Sequence, residues 1–368
     1  MANHEEALTR HLRRGPLAVC LVVVILVLGI GLRAIGFTRG TAGSDFYHFH
    51  PDETTILRAA SAPVDPFNPP LTAYGLLPLY AARLALAPVA AVVGWEGVSL
   101  DTPIGARRAV LVGRGLALCW AAIALWCTWI LGRRCFGPTA GLLACGLLAV
   151  LPGAIQQGHF YTVDGPFTAL SAAALVAILR AVETGRRADL AVAGALIGLT
   201  MAVRLNGGLL ALVLVVGLLA RTWRSEASVR AAVSVLMAPR LWLAGAVAAI
   251  FLLGLQPYLV TDPGRLLRAE STSDFGLSLA IATGRQLQPW TLYDVHTTRY
   301  LHHLTELLPR FAGWPFTVAC LVALAWGARR RDPATQLLLL WVVFAFVQLG
   351  GLHTKHVRYL YPLMPVLA

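Results

Sequence analysis

The sequence predicts an all-α protein that crosses a membrane many times. Three observations carry that expectation. The composition is 57% hydrophobic and 13% charged over 368 residues, where soluble domains carry roughly 25% charged residues. The apolar residues fall in blocks close to the 17–25 residues that a spanning helix needs. Arginine recurs in every second connection between those blocks, as the positive-inside rule expects. With a mean hydropathy of +0.69 a water-soluble globule is excluded, and a membrane β-barrel would alternate residue by residue rather than in blocks.

The blocks run at 16–36, 109–131, 138–156, 166–182, 189–204, 206–220, 241–257, 312–328 and 334–350. A tenth opens near 359, and the chain ends inside it at Ala368. Residues 1–368 thus read as a single integral membrane domain of about nine to ten spans. The first block follows Arg10, Arg13 and Arg14 and lacks a small-x-small cleavage site, so it is expected to remain as a first span. The fifth and sixth blocks are divided at Arg204, Asn206, Gly207 and Gly208, because the stretch they interrupt is too long for one crossing.

Counting arginines sets the orientation. With residues 1–15 cytoplasmic, the inside connections 132–137, 183–188, 221–240 and 329–333 hold Arg133, Arg134, Arg186, Arg187, Arg221, Arg224, Arg230, Arg240 and Arg329–Arg331. The long connections 37–108 and 258–311 then face outward and carry most of the acids and half of the histidines. A multi-pass plasma-membrane protein with an extracytoplasmic site is the expectation. Within the first outer connection, 54–62 and 78–93 read as short helices, the second with an apolar face for the membrane surface. Asp65-Pro66-Phe67-Asn68-Pro69-Pro70 is a turn between them. Irregular backbone beside a bilayer should be packed by protein or line a cavity.

The net charge of +12 is almost all arginine, Lys355 being the only lysine. The inside connections account for most of it, and no nucleic-acid module appears. Cysteines 20, 119, 127, 135, 145 and 320 lie in or beside apolar blocks and form no CxxC pair. They read as small hydrophobes. Gly113-Arg114-Gly115 and Gly194-x-x-x-Gly198 read as packing glycines. No P-loop, dinucleotide fingerprint or nucleophile elbow occurs, so a nucleotide-sugar donor is unsupported.

Polar chemistry concentrates in Tyr47-His48-Phe49-His50-Pro51-Asp52-Glu53. Asp52 and Glu53 have two readings. Pro51 starts a helix whose positive end favours acids, or one carboxylate is a general base for a hydroxyl within about 3 Å. Asp164, before Gly165-Pro166, is an N-cap for the fourth span or a second carboxylate that holds a metal or the acceptor. Arg204 either snorkels or contacts an anionic head group. His353-Thr354-Lys355-His356-Val357-Arg358-Tyr359 is a basic cluster on the disfavoured side of the membrane, and a phosphate ligand would explain it. In an extended segment His48, His50 and Asp52 share one face. His48, Asp52 and Asp164 are therefore a candidate divalent-metal set, although histidine also hydrogen-bonds sugar. His302 and His303 are less specific.

Four stretches resemble the polyprenyl-phosphate-sugar-dependent glycosyltransferases of the GT-C fold. The resemblance is greatest to the protein O-mannosyltransferase and aminoarabinose transferase group, glycosyltransferase family 39 and its relatives. They are His50-Pro51-Asp52-Glu53, Asn68-Pro69-Pro70 with Tyr74-Gly75 and Pro78-Leu79-Tyr80, Phe160 to Pro166, and Arg358-Tyr359-Leu360-Tyr361-Pro362-x-x-Pro365. Gln256-Pro257-Tyr258 also fits. The match is in order along nearly the whole chain, but such proteins usually continue with further spans. The resemblance implies a GT-C-like helical bundle and inverting transfer of a sugar from a polyprenyl-phosphate donor. The acceptor would be a hydroxyl of a glycan, glycolipid or protein. It implies Asp52 and Glu53 as the catalytic acids and Arg204, Lys355 and Arg358 as ligands of the donor phosphate. His50, His159, Asp164 and Tyr359 would be substrate contacts. The rival expectations are a lipid-linked sugar flippase, which needs no base, and a non-catalytic scaffold.

Overall fold

The computed structural model describes residues 16–41, 50–271 and 273–368. It is helical throughout, with no strand among the described residues. The helices are α1 (Pro16–Ala34), α2 (Pro51–Ser61), α3 (Leu77–Val93), α4 (Pro103–Phe136), α5 (Pro138–Val150) and α6 (Pro152–Gly158). They continue with α7 (Asp164–Thr184), α8 (Arg187–Met201), α9 (Leu209–Glu226), α10 (Val229–Met237), α11 (Pro239–Leu255) and α12 (Tyr258–Thr261). The last are α13 (Phe275–Ala282), α14 (Leu308–Ala312), α15 (Trp314–Arg329), α16 (Pro333–Gly350) and α17 (Met364–Leu367). Among the described residues, five helical segments are long and apolar enough to cross a membrane: α4, α7, Leu205–Glu226, Val229–Leu255 and α16. Together with the apolar helices Ala18–Ala34 and α15, they make a multi-pass membrane protein. The expected N-terminal segment 1–15 and His48 lie outside the described residues.

One expected block divides. The run 138–156 bends by 65° between α5 and α6. Pro152 lacks an N–H and pushes Leu151 into extended backbone, ψ 122. The break strands helix-end carbonyls inside apolar protein. Arg33 of α1, 1% exposed, reaches them. Its Nη1 donates to Ala149 O at 2.9 Å and to Gly29 O at 2.8 Å, and its Nη2 to Leu148 O at 3.0 Å.

The division at Arg204 is as expected. Arg204 is extended (φ −149, ψ 131), and a 3-10 turn, Leu205–Gly208, leads into α9. The Gly194 and Gly198 pair packs α8 on α11: a Cβ there would lie 2.2 Å from Ala244 O and 2.3 Å from Ala248 O. Gly113 likewise packs against Leu57 of α2, whereas Gly115 faces open space. The two long connections meet over the bundle. Thr72 and Ala73 both donate their N–H to Ser273 O at 2.8 Å, and Arg265 holds Asn68 and Pro69 O. This junction roofs a cavity.

Candidate active site

The cavity has a volume of about 1050 Å³ and is walled by both long connections, the 3-10 turn after Arg204 and the segment between α16 and α17. Asp52 enters it from the first turn of α2. Pro51 starts that helix, and His50 caps it, its Nδ1 accepting from Asp52 N at 3.2 Å. Burial, opposed by Asp52, leaves the His50 pKa below its ordinary value. A neutral His50 with Nδ1 accepting carries its proton on Nε2.

Four charged groups form a chain along the cavity. Arg358 Nη1 donates to Asp52 Oδ2. Arg358 Nε lies 3.8 Å from Asp164 Oδ2, and Arg204 Nη2 lies 2.9 Å from Asp164 Oδ1. Asp164 is fully buried. Tyr74 donates its hydroxyl to Asp52 Oδ2 at 3.0 Å. Burial pushes the Asp52 carboxyl up, but Arg358, His50 and Tyr74 together outweigh it, so the group sits below the usual carboxylate range. Tyr359 lies under both guanidiniums, its ring centroid 5.6 Å from Arg204 Cζ and 5.8 Å from Arg358 Cζ. Two cations and two carboxylates balance. The guanidiniums can bind an anion that displaces a carboxylate, and a freed carboxylate can take a proton.

His50, Asp52, Arg204, Arg358 and Tyr359 therefore converge on one cavity. Asp164 stands behind the two arginines. Three residues expected at the site point elsewhere. Glu53, next to Asp52, is 3% exposed. It accepts from Tyr161 N at 3.0 Å and pairs with Arg114 Nη2 at 3.5 Å. Adjacent residues on a helix do not share a face, so the acidic pair splits between the cavity and the protein interior. Burial pushes the Glu53 pKa up against Tyr161 N and Arg114. His159 turns its Nε2 to Leu32 O at 3.3 Å. Lys355 is held outside the cavity: its Nζ donates to His353 O at 2.8 Å and its backbone N to Asp294 Oδ2 at 3.0 Å.

Sequence reasoning gave no site role to Tyr74, or to Arg114 as the partner of Glu53. A charge inside an apolar block was the signal for Arg114, since such groups demand a partner. Tyr74 stood out only as part of the Tyr74-Gly75 motif, which gave it no role, because its contact with Asp52 is set by tertiary packing.

The donor set of the described residues does not fit a resident divalent metal. The Arg358 guanidinium already bridges Asp52 and Asp164. Among the described residues no three His, Cys, Asp or Glu side chains converge. Of the expected set, His48 lies outside the described residues.

Comparison with known proteins bears on this arrangement. The family model "Dolichyl-phosphate-mannose-protein mannosyltransferase" matches residues 108–253. No curated protein matches the chain in sequence. Among solved structures, the aminoarabinose transferase ArnT from Cupriavidus metallidurans bound to undecaprenyl phosphate superposes with a TM-score of 0.63. It is 17% identical, over 95% of this chain and 58% of that one. This is the GT-C fold. The Archaeoglobus fulgidus oligosaccharyltransferase in the apo form gives a TM-score of 0.59 at 16% identity, over 95% of this chain and 49% of that one. The archaeal oligosaccharyltransferase AglB from Archaeoglobus fulgidus, in complex with an inhibitory peptide and a dolichol-phosphate, gives 0.60 at 14%, over 96% of this chain and 49% of that one. The chain spans about half the length of these GT-C structures.

Proposed function

We propose that the protein is a glycosyltransferase that moves a sugar from a polyprenyl phosphate to an acceptor hydroxyl, with inversion, at the extracytoplasmic face. The observation that carries this is the Arg204–Asp164–Arg358–Asp52 chain in the wall of a large cavity. Two guanidiniums, groups suited to phosphate oxygens, stand beside a carboxylate able to accept a proton, which supports this reading. Binding of undecaprenyl phosphate by ArnT and of a dolichol-phosphate by the archaeal enzyme supports a lipid-phosphate donor. The arginine-rich alternate connections support a cytoplasmic N-terminus and an outward cavity.

In this reading the donor is a phosphodiester with one negative charge, and its phosphate competes with Asp52 and Asp164 for Arg358 and Arg204. Guanidinium suits such oxygens because it donates two parallel hydrogen bonds. Asp52, freed from Arg358, takes the proton of the acceptor hydroxyl. The oxygen attacks the anomeric carbon from the face opposite the phosphate, through an oxocarbenium-like transition state. The bond between the anomeric carbon and the phosphate oxygen breaks, and its electron pair leaves with the lipid phosphate. The extra charge on that phosphate is stabilised by the arginines, so the leaving group needs no proton. Glu53 is assigned to the interior, where it ties α2 to Arg114 and Tyr161, and Lys355 to the support of the basic segment.

The test uses the protein in lipid with radiolabelled polyprenyl-phosphate sugars and crude membranes as acceptor. Label passing from lipid to acceptor is the expected result. Label that binds and crosses the bilayer but never leaves the lipid would make the protein a flippase instead.

A further inference from the structure

The ion chain accounts for a phosphate and a proton but leaves nothing to distinguish one sugar from another. Beside Asn206, whose Oδ1 has no partner among the described residues, two further side chains in the cavity wall are left with unused hydrogen-bonding capacity. Gln256 ends α11, where Pro257 stops the helix. It is 1% exposed, and it lines the cavity. Tyr258, also 1% exposed, donates its hydroxyl to Gln256 Oε1 at 3.1 Å. Burial pushes that phenol up to about 12, against Arg265, so the proton stays on Tyr258 at neutral pH. With Oε1 engaged, the amide Nε2 is the free end, and it has no partner among the described residues. Gln157, 8% exposed and in the wall of the same cavity, leaves its Oε1 without a partner among the described residues.

Buried amides are nearly always paired, because an unmade hydrogen bond leaves the full cost of desolvation. The free donor of Gln256 and the free acceptors of Gln157 and Asn206 in a single cavity match a ligand that both accepts and donates. A phosphate diester only accepts, and a prenyl tail does neither. A sugar hydroxyl does both. We infer that Gln256, held by Tyr258, together with Gln157 forms a subsite that reads hydroxyl groups of the transferred sugar, apart from the arginines that hold its phosphate. The inference rests on the polyprenyl-phosphate reading above and adds to it the residues that set sugar selectivity. Gln256 binds the hydroxyl, and Tyr258 acts through Gln256 as a positioning residue.

The experiment measures equilibrium binding to the protein in nanodiscs. The probes are bare undecaprenyl phosphate and undecaprenyl phosphate bearing mannose, glucose or 4-amino-4-deoxyarabinose. The unmutated protein should hold at least one conjugate more tightly than the bare lipid. Gln256→Glu keeps the size of the side chain and an acceptor for Tyr258, but removes the N–H donors. It should bind the bare lipid within about 2-fold of the unmutated protein and lose about 10- to 100-fold on the preferred conjugate, the scale of a buried group left unpaired. Tyr258→Phe, which unfastens Gln256 without adding charge, should show a smaller loss confined to the conjugate.

Equal losses on bare lipid and conjugate in both variants would overturn the inference, since the pair would then act on phosphate. Unchanged binding of both probes in both variants would overturn it too. An unmutated protein that binds the bare lipid and gains nothing from any sugar would remove the sugar subsite but keep the phosphate site. One that binds neither probe would remove the polyprenyl-phosphate reading and this inference with it.

Discussion

Arg358 and Asp52 are 306 positions apart in sequence, and the guanidinium of one donates to the carboxylate of the other in the cavity wall. The first connection and the last basic segment are joined by this pair. In the proposed reaction the same contact must open, because the donor phosphate needs Arg358 and the acceptor proton needs Asp52.

Arg358→Ala should weaken binding of undecaprenyl phosphate by 10-fold or more, since it removes a guanidinium in a desolvated site. Arg358→Lys should recover only part of that loss, because an ammonium is a point charge and cannot span Asp52 and Asp164. Equilibrium binding in nanodiscs decides this. An unchanged affinity in Arg358→Ala would make Arg358 a rim charge.

The pH dependence has a definite sign. Arg358, His50 and Tyr74 hold the Asp52 carboxyl below its usual range against the upward push of burial. A carboxyl with a depressed folded-state pKa stabilises the fold fully above its unfolded value of about 3.9. That contribution is lost as pH falls through the folded value. The acid limb of kcat/KM, which reports the free protein, should therefore lie below about pH 4. The limb of kcat should lie higher, because the bound phosphate has drawn Arg358 from Asp52. Rate profiles between pH 3.5 and 8 would show the limb of kcat while kcat/KM stays near its plateau, and coincident limbs would contradict the displacement of Arg358.

Glu53 separates structure from chemistry. Glu53→Gln retains an acceptor for Tyr161 N and should keep turnover within about 3-fold, a change far smaller than the 100-fold or more expected of a lost base. Glu53→Ala leaves Arg114 buried without its carboxylate and should destabilise the fold by about 3–5 kcal/mol. Thermal unfolding in detergent and initial rates on both variants check this. A large rate loss in a stably folded Glu53→Gln would return Glu53 to the chemistry.

The contact between α8 and α11 can be tested in the same way. A side chain at Gly194 would meet Ala244 O at 2.2 Å, so Gly194→Val should force the helices apart and destabilise by about 1–3 kcal/mol. An unchanged unfolding temperature would contradict the close packing of these helices.

Much of the helical framework was legible in the sequence because membrane spans are written as composition. The division at Arg204–Gly208 was legible for the same reason, as an arginine and two glycines interrupt apolar sequence. The 65° bend at Pro152 was hidden inside a block of suitable length, although a proline after Leu151 was the local signal. The acids illustrate the limit of motif reading. Asp52 and Glu53 are neighbours in a motif, but helix geometry turns one to the cavity and the other to Arg114. Lys355 and Arg358 share one basic segment, and only Arg358 faces the cavity, because Asp294 and His353 O hold Lys355. The convergence of Asp52, Asp164, Arg204 and Arg358 depends on packing between distant elements, which no local pattern encodes.

The central claim is that Asp52 is the base of a sugar transfer. It is tested most directly by turnover of radiolabelled polyprenyl-phosphate sugar by the protein in lipid, beside Asp52→Asn. The variant retains an acceptor for Arg358 and Tyr74, so it should insert, fold and bind donor. Its turnover should fall by about 100-fold or more, the scale of a lost general base. Near-normal turnover in Asp52→Asn would contradict the account.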